Sequence, residues 1–253
     1  MLRYLLPALT IASIAVSSAF ADPQSPPKDQ PKPLSPEQKA KALEQCAAGW
    51  EQAMKGMKAF EAQLDRVEQD RAARSEEKYT GVAKFMEPNY LLLELKKTDN
   101  QDVYEKWLST GTFLYQWVPQ AKKINVNELP KLKGSGNESM LAVLGCLKID
   151  EARKRFDLDY VKEDDNYHYI EIKPKSPEDK AEFTWARLVL NKKTNLPREI
   201  RFITPSNDEV LWNIRSLQVY ASTDKMNRID FAKPDLPKDW KWEQSPRVVR
   251  PQQ

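Results

Sequence analysis

Apolar positions along the chain follow two rhythms. Leu43, Cys46, Ala47, Trp50, Met54 and Met57 recur at spacings of three, four and seven, which lays one apolar stripe along a helix. Ser35-Pro36-Glu37-Gln38 opens that helix: Ser35 suits the cap, Pro36 the first helical position, and Gln38 completes a capping box. From about Phe60 the rhythm loosens towards the alternation of strands. Strands are expected over Tyr79–Lys84, Tyr90–Lys97, Val103–Ser109, Thr112–Val118 and Lys123–Val126. In Tyr90–Lys97, Leu91, Leu93 and Leu95 share one face while Tyr90 and Leu92 share the other, so that strand is covered on both sides. Thr110-Gly111 reads as a hairpin turn, and Phe113, Tyr115 and Trp117 alternate on one face beyond it.

A helical rhythm returns at Asn137–Leu147, through Met140, Leu141, Leu144 and Leu147, and a short helix is expected over Ile149–Phe156 with Asp150 as cap. The rest reads as strand: Phe156–Lys162, Tyr167–Pro174, Phe183–Leu190, Glu199–Ile203, Glu209–Val219 and Arg228–Phe231. Asp164-Asp165-Asn166, Pro174–Pro177, Asn191–Asn195 and Pro205–Asp208 separate them. Strands that follow one another without intervening helices pair antiparallel. A sheet of about ten strands curls or closes. The fold class expected is therefore α+β, a curved antiparallel sheet forming an incomplete, unclosed β-barrel with helices plugging its concave side.

The ends of the chain depart from this pattern. Residues 1–21 read as a cleaved signal peptide: Arg3, an apolar run from Leu5 to Val16, and small residues at Ala19 and Ala21, with the cut after Ala21. The run is short for a membrane span and Pro7 interrupts it. No stable transmembrane segment is expected after cleavage, and the location expected is periplasmic or secreted. Residues 22–35 are Pro-, Lys- and Gln-rich and read as an extended spacer, residues 36–243 as one domain, and 244–253 as a loose tail.

Composition narrows the chemistry. Lys and Arg number 40 against 37 Asp and Glu, interspersed, which argues against nucleic acid. The two cysteines, Cys46 and Cys146, fit either a disulfide or two buried small hydrophobes. As a disulfide they would close a loop of about 100 residues, worth about 4–5 kcal/mol on the chain-entropy model. Two Cys and one His at these spacings make no zinc site. The single histidine, His168, alternates with Ile170 and Ile172 and reads as a structural residue. There is no G-x-S-x-G, H-E-x-x-H or P-loop, and Gly134-Ser135-Gly136 reads as a loop before a helix. Asp157/Asp159 and Asp164/Asp165 have no partner base in view. No cofactor and no catalytic function are expected.

The order of these pieces resembles the lipoprotein-carrier family of the bacterial envelope, the LolA/LolB-type fold. The residues that carry the resemblance are Gly81 entering a strand, the Pro88-Asn89 turn, the apolar strand after it, and Ser109-Thr110-Gly111-Thr112-Phe113-Leu114-Tyr115-Gln116-Trp117-Val118-Pro119. In the second half they are Pro174-Lys175, Phe183–Leu190, the turn Asn191–Pro197, and Phe231–Trp242 with Pro234, Pro237 and Trp240. The Leu196-Pro197 and Pro237-Lys238-Asp239-Trp240 pieces look like a planctomycete-type branch of uncharacterised exported proteins. The resemblance implies a half-barrel whose interior takes lipid or lipoprotein acyl chains. It matches Leu91, Leu93 and Leu95 to a cavity-facing strand and makes Phe113, Tyr115 and Trp117 candidates for the next one. Trp50, Met54, Met140 and Leu144 would be lid or wall. One position departs: the carriers have an Arg just before the turn proline, and here it is Glu87, which cannot donate hydrogen bonds to lid carbonyls. The function expected is an exported monomer that holds an apolar ligand. The alternative is an envelope sensor or protein-interaction module on the same fold.

Overall fold

In the computed structural model, residues 34–129 and 149–244 are described. The leader 1–21, most of the spacer, the helix expected over 137–147 with Met140, Leu144 and Cys146, and the tail from residue 245 lie outside them.

Helix α1 spans Pro36–Met54. Its start is the capping box read from the sequence: the Ser35 hydroxyl accepts from the Gln38 amide at 3.2 Å, and Gln38 Oε1 accepts from the Ser35 amide at 2.9 Å. These bonds satisfy amides that the first helical turn leaves open. Leu43, Cys46 and Ala47 are its buried positions, on one stripe.

Among the described residues twelve strands form one sheet. They are β1 (Ala59–Asp70), β2 (Ser75–Met86), β3 (Tyr90–Lys97), β4 (Tyr104–Thr110), β5 (Phe113–Val118) and β6 (Lys123–Glu128). After the short helix α2 (Ile149–Arg155) come β7 (Phe156–Glu163) and β8 (Tyr167–Pro174). The four-residue helix α3 (Pro177–Lys180) precedes β9 (Trp185–Asn191), β10 (Pro197–Ile203), β11 (Glu209–Tyr220) and β12 (Lys241–Gln244). The order across the sheet is β12-β6-β5-β4-β3-β2-β1-β11-β10-β9-β8-β7, so the two end strands do not pair and the sheet stays open. Every pairing is antiparallel except β12 on β6. This is the unclosed, mostly antiparallel sheet expected from the sequence, with particulars that differ.

Strand β1 runs to Asp70, and its far half, Asp65-Arg66-Val67-Glu68-Gln69-Asp70, is mostly charged and holds no apolar alternation to read. Residues 75–78 of β2 were not expected as strand; their charged side chains ride on a solvent-facing hairpin end. Arg228–Phe231, expected as a strand, is a 3₁₀ turn. The Asn227 side chain caps it by accepting from the Ile229 amide at 3.1 Å, while Phe231 is buried and Ile229 is exposed. Four alternating residues cannot distinguish a strand from a single turn. Asp150 sits inside the first turn of α2 instead of capping it, placing its charge at the positive end of the helix.

The two faces of the sheet bury different cores. On the face under α1, Leu43 and Cys46 pack with Phe60, Ala62 and Leu64 of β1, Leu93 and Leu95 of β3, Tyr160 of β7, and Leu188 and Leu190 of β9. On the opposite face, Ala59, Met86, Leu108, Tyr115, Trp117 and Ile124 form a second cluster. The segment between β11 and β12 closes that cluster with Met226, Phe231 and Trp240. Strand β3 serves both, with Leu93 and Leu95 facing one core and Tyr90 and Leu92 the other, as its two apolar faces required.

The short helix α3 is tied down by Asp179. Its carboxylate accepts from Nε of Arg155 at 3.2 Å, from Nη2 of the same guanidinium, and from the Ser176 hydroxyl at 3.0 Å. The bonds from Arg155 hold the Asp179 carboxyl below the usual range. A carboxyl with a depressed folded value contributes stability above the unfolded value of about 3.9 and loses it as pH falls below that. Asp179→Asn is therefore expected to cost about 1–3 kcal/mol at pH 7 by urea unfolding. The difference from the native chain should shrink as pH drops below about 4. A difference that stays constant with pH would assign the effect to packing instead of charge.

Candidate functional site

Beside α1 the apolar face of the sheet is not filled. A cavity of about 540 Å³ lies between the helix and strands β7 to β11, within the range of about 300–1,000 Å³ typical of small-molecule sites. Leu43, Ala47, Trp50 and Glu51 of α1 form one wall, and Ala152 of α2 joins them. The floor comes from alternate residues of five strands: Phe156 and Leu158, Ile170 and Ile172, Ala186 and Leu188, Ile200 and Phe202, and Trp212. Glu182 and Phe183 complete the rim.

Register explains the floor. Tyr160, Ile170, Leu188, Ile200 and Trp212 face one another in a single cross-strand row. The neighbouring row is Leu158, Ile172, Ala186 and Phe202. Period-two alternation sends all of these side chains to the helix-covered face. Ala186 is the small member of its row, and its missing volume contributes to the space above it.

Among the described residues the lining is nearly free of polar groups. Glu51 and Glu182 are the ionisable side chains among the described lining residues. The indole N–H of Trp50 is buried with no hydrogen-bond partner among the described residues. One end of the Trp212 row is polar: the Arg66 guanidinium lies 4.5 Å from the Tyr79 ring centre and 5.1 Å from that of Trp212. Arg66 Nη1 donates to Glu105 at 2.6 Å, and Nε lies 3.0 Å from Glu68 without the alignment of a hydrogen bond. Burial holds the Glu68 carboxyl above its ordinary range. Arg66→Met would strand these carboxylates and remove both ring contacts. It is expected to destabilise the chain by roughly 3 kcal/mol in urea unfolding, and a loss below about 1 kcal/mol would show the network to be solvent-screened.

The residues singled out from the sequence scatter over both faces. Trp50 lines the cavity. Leu93 and Leu95 lie on the same face but in packed core beyond it, and Leu91 is half-buried. Met54 is half-buried at the end of α1. Phe113, Tyr115 and Trp117 belong to the second core on the opposite face. The pairing decides this: Tyr115 faces Leu108 and so Leu92, whereas Leu93 pairs with Trp107. Met140 and Leu144 lie outside the described residues. The floor residues of β7 to β11 were legible as alternating apolar positions, but nothing in the sequence says which part of the sheet the helix covers.

Ionisable groups near this face contact one another. The Tyr160 hydroxyl lies 2.8 Å from Nδ1 of His168 and 3.0 Å from Glu163. Burial pushes His168 below the usual imidazole range. Burial and then Glu163 push the Cys46 thiol up to about 12, the reverse of what an attacking thiolate needs. Cys46 is buried and makes no disulfide among the described residues; Cys146 lies outside them. Glu87 pairs with Lys58 at 2.7 Å, just beyond α1. Among the described residues no group of three or more His, Cys, Asp or Glu side chains could hold a metal ion, and no helix is long and apolar enough to cross a membrane.

Fold and cavity together define a class: an open, mostly antiparallel sheet with an apolar pocket under a helix on one face. Solved structures similar to this chain include an uncharacterised conserved protein from Thermus thermophilus, at 7% identity and TM-score 0.48, covering 81% of this chain and 99% of that one. A LolA superfamily protein from Nitrosomonas europaea is 9% identical at TM-score 0.37, covering 75% and 97%. The lipoprotein LppX of Mycobacterium tuberculosis is 10% identical at TM-score 0.41, covering 72% and 99%. No family model and no curated protein sequence matches the chain.

Proposed function

We propose that this protein is an exported, non-catalytic binding protein that holds an apolar ligand, a lipid or a lipoprotein acyl chain, in the cavity between α1 and strands β7 to β11. The observation that carries this reading is the cavity itself: about 540 Å³, its described lining almost wholly aliphatic and aromatic side chains. A protein that only used this face as structural core would close such a space, since unfilled volume beside large apolar side chains forfeits contact energy. The leader at 1–21 supports an envelope location, with Asp22 as the first residue of the mature chain. The raised Cys46 thiol is a poor nucleophile, which supports a non-catalytic reading.

The test is native mass spectrometry of the protein purified from the envelope fraction, with titration by the fluorescent apolar probe N-phenylnaphthylamine. The expected result is a mature chain beginning at Asp22, a co-purifying apolar mass, and saturable one-to-one probe binding. Absence of both bound mass and saturable binding would overturn it and leave the protein-interaction reading as the better one.

A further inference from the structure

Part of the cavity rim is a strap, residues 175–184, that joins β8 to β9 and carries Glu182 and Phe183. We infer that this strap is the gate through which a ligand enters and leaves while α1 stays seated, with the Arg155–Asp179 ion pair as its latch and the Phe183 ring as its plug. This rests on the apolar-ligand reading above and goes on to say how that site opens.

The strap is fixed at its two ends. The Lys175 amide donates to the Arg155 carbonyl at 2.9 Å, and the Thr184 amide to that of Ile203 at 2.8 Å. Between them the amides of Lys180, Ala181, Glu182 and Phe183 donate to carbonyls of Ser176, Pro177 and Asp179, within the strap itself. Pro177, Glu178, Lys180, Ala181 and Glu182 are exposed. Two side chains hold the middle. Asp179 is buried and accepts from Nε and Nη2 of Arg155, the last residue of α2. Phe183 is half-buried, its ring centre 5.8 Å from that of Phe156 and 6.5 Å from that of Phe202, both of which line the cavity. A segment with internal backbone bonds and few buried apolar contacts belongs to the low-stability end of a fold, where local opening occurs. Its neighbours around the cavity are held more firmly. Strands β8 to β11 are each paired on both sides. Helix α1 buries Leu43, Cys46 and Ala47, and it sits so close to the β9–β10 turn that a Cβ on Gly49 would meet Oδ1 of Asn195 at 2.8 Å. Swinging Phe183 outward uncovers Phe156 and Phe202 at the loss of one ion pair and two ring contacts, with no strand pairing broken.

The test is stopped-flow binding of N-phenylnaphthylamine to the full mature chain at pH 7.5. Asp179→Asn weakens the latch in the free and the loaded protein alike, because Asp179 is not a lining residue. Association and dissociation rates should therefore both rise about three- to tenfold, with the affinity held within about twofold. Arg155→Lys keeps the charge and loses the planar fork, and should act in the same direction more weakly; it serves if Asp179→Asn does not fold. Glu44→Gln removes the ion pair that ties α1 to Arg153 of α2, and should leave both rates within about twofold. Hydrogen exchange gives a second readout: Asp179→Asn should speed the amides of residues 180–183 at least about threefold and leave those of residues 43–50 of α1 unchanged. Unchanged rates in both latch variants would overturn the gate, as would a faster dissociation matched by an equal loss of affinity, which marks a wall. Faster binding in Glu44→Gln, or helix amides that speed up with those of the strap, would overturn it in favour of movement of α1. In each of these cases the apolar-ligand reading stands, whereas failure of the native chain to bind the probe would remove that reading itself.

Discussion

Gly81→Ala is expected to destabilise this protein more than any other single methyl addition to its described glycines. Gly81 lies in the middle of β2, paired with Leu64 of β1 on one side and Leu95 of β3 on the other. A Cβ built there would sit 1.8 Å from the backbone carbonyl oxygen of Glu94. That oxygen belongs to a paired strand and cannot swing away as a side-chain tip can, so two central strands must separate. Overpacking costs roughly 1–3 kcal/mol and occasionally more, and a backbone contact this short belongs at or above the top of that range. The melting temperature should fall by about 6–12 °C, at roughly 2–4 °C per kcal/mol for a domain of this size. The sign is diagnostic, because Gly→Ala at an unstrained position stabilises by about 0.4–1 kcal/mol through the unfolded state. Gly56→Ala is the control: its φ is +75° but a Cβ there meets nothing within 4 Å. It should cost only the left-handed backbone penalty of about 1–2 kcal/mol. Equal losses at the two positions would mean that β2 and β3 can move apart at little cost.

The second large effect concerns binding. Ala186→Phe places a ring on the cavity floor, in the row where Leu158, Ile172 and Phe202 are already large. Probe affinity is expected to fall at least about tenfold, a loss of about 1.4 kcal/mol or more. Stability should change little, because the ring enters existing space instead of displacing packed atoms. Phe113→Leu, on the opposite face, should leave probe affinity within about twofold. Ala186→Phe binding the probe like the native chain would move the binding site away from this cavity. Phe113→Leu abolishing binding would move it to the other face.

Much of the architecture was legible in the sequence. The capping box at Ser35 and Gln38 set the start of α1, because cap chemistry is local. Alternation located β3, β5, β8 and β11, and turn residues such as Thr110-Gly111 separated them. Two apolar faces on β3 announced a sheet covered on both sides, and two cores are what the structure contains. The errors came where local pattern carries little information. The polar end of β2 held no apolar alternation to read. Arg228–Phe231 was too short to tell a strand from a turn. Strand β12, with all four residues exposed, owes its conformation to pairing with β6.

The sequence by itself determined that an amphipathic helix would meet a long, mostly antiparallel sheet. It determined which residues of each strand share a face, because side-chain direction follows from the backbone period alone. Only the tertiary structure decided which face lies under α1 and over which strands. That choice depends on register between residues far apart in sequence, such as Leu188 opposite Ile170 and Ile200, and on where Leu43, Ala47 and Trp50 come to rest. It places the cavity on β7 to β11 and leaves Phe113, Tyr115 and Trp117 under the C-terminal segment instead.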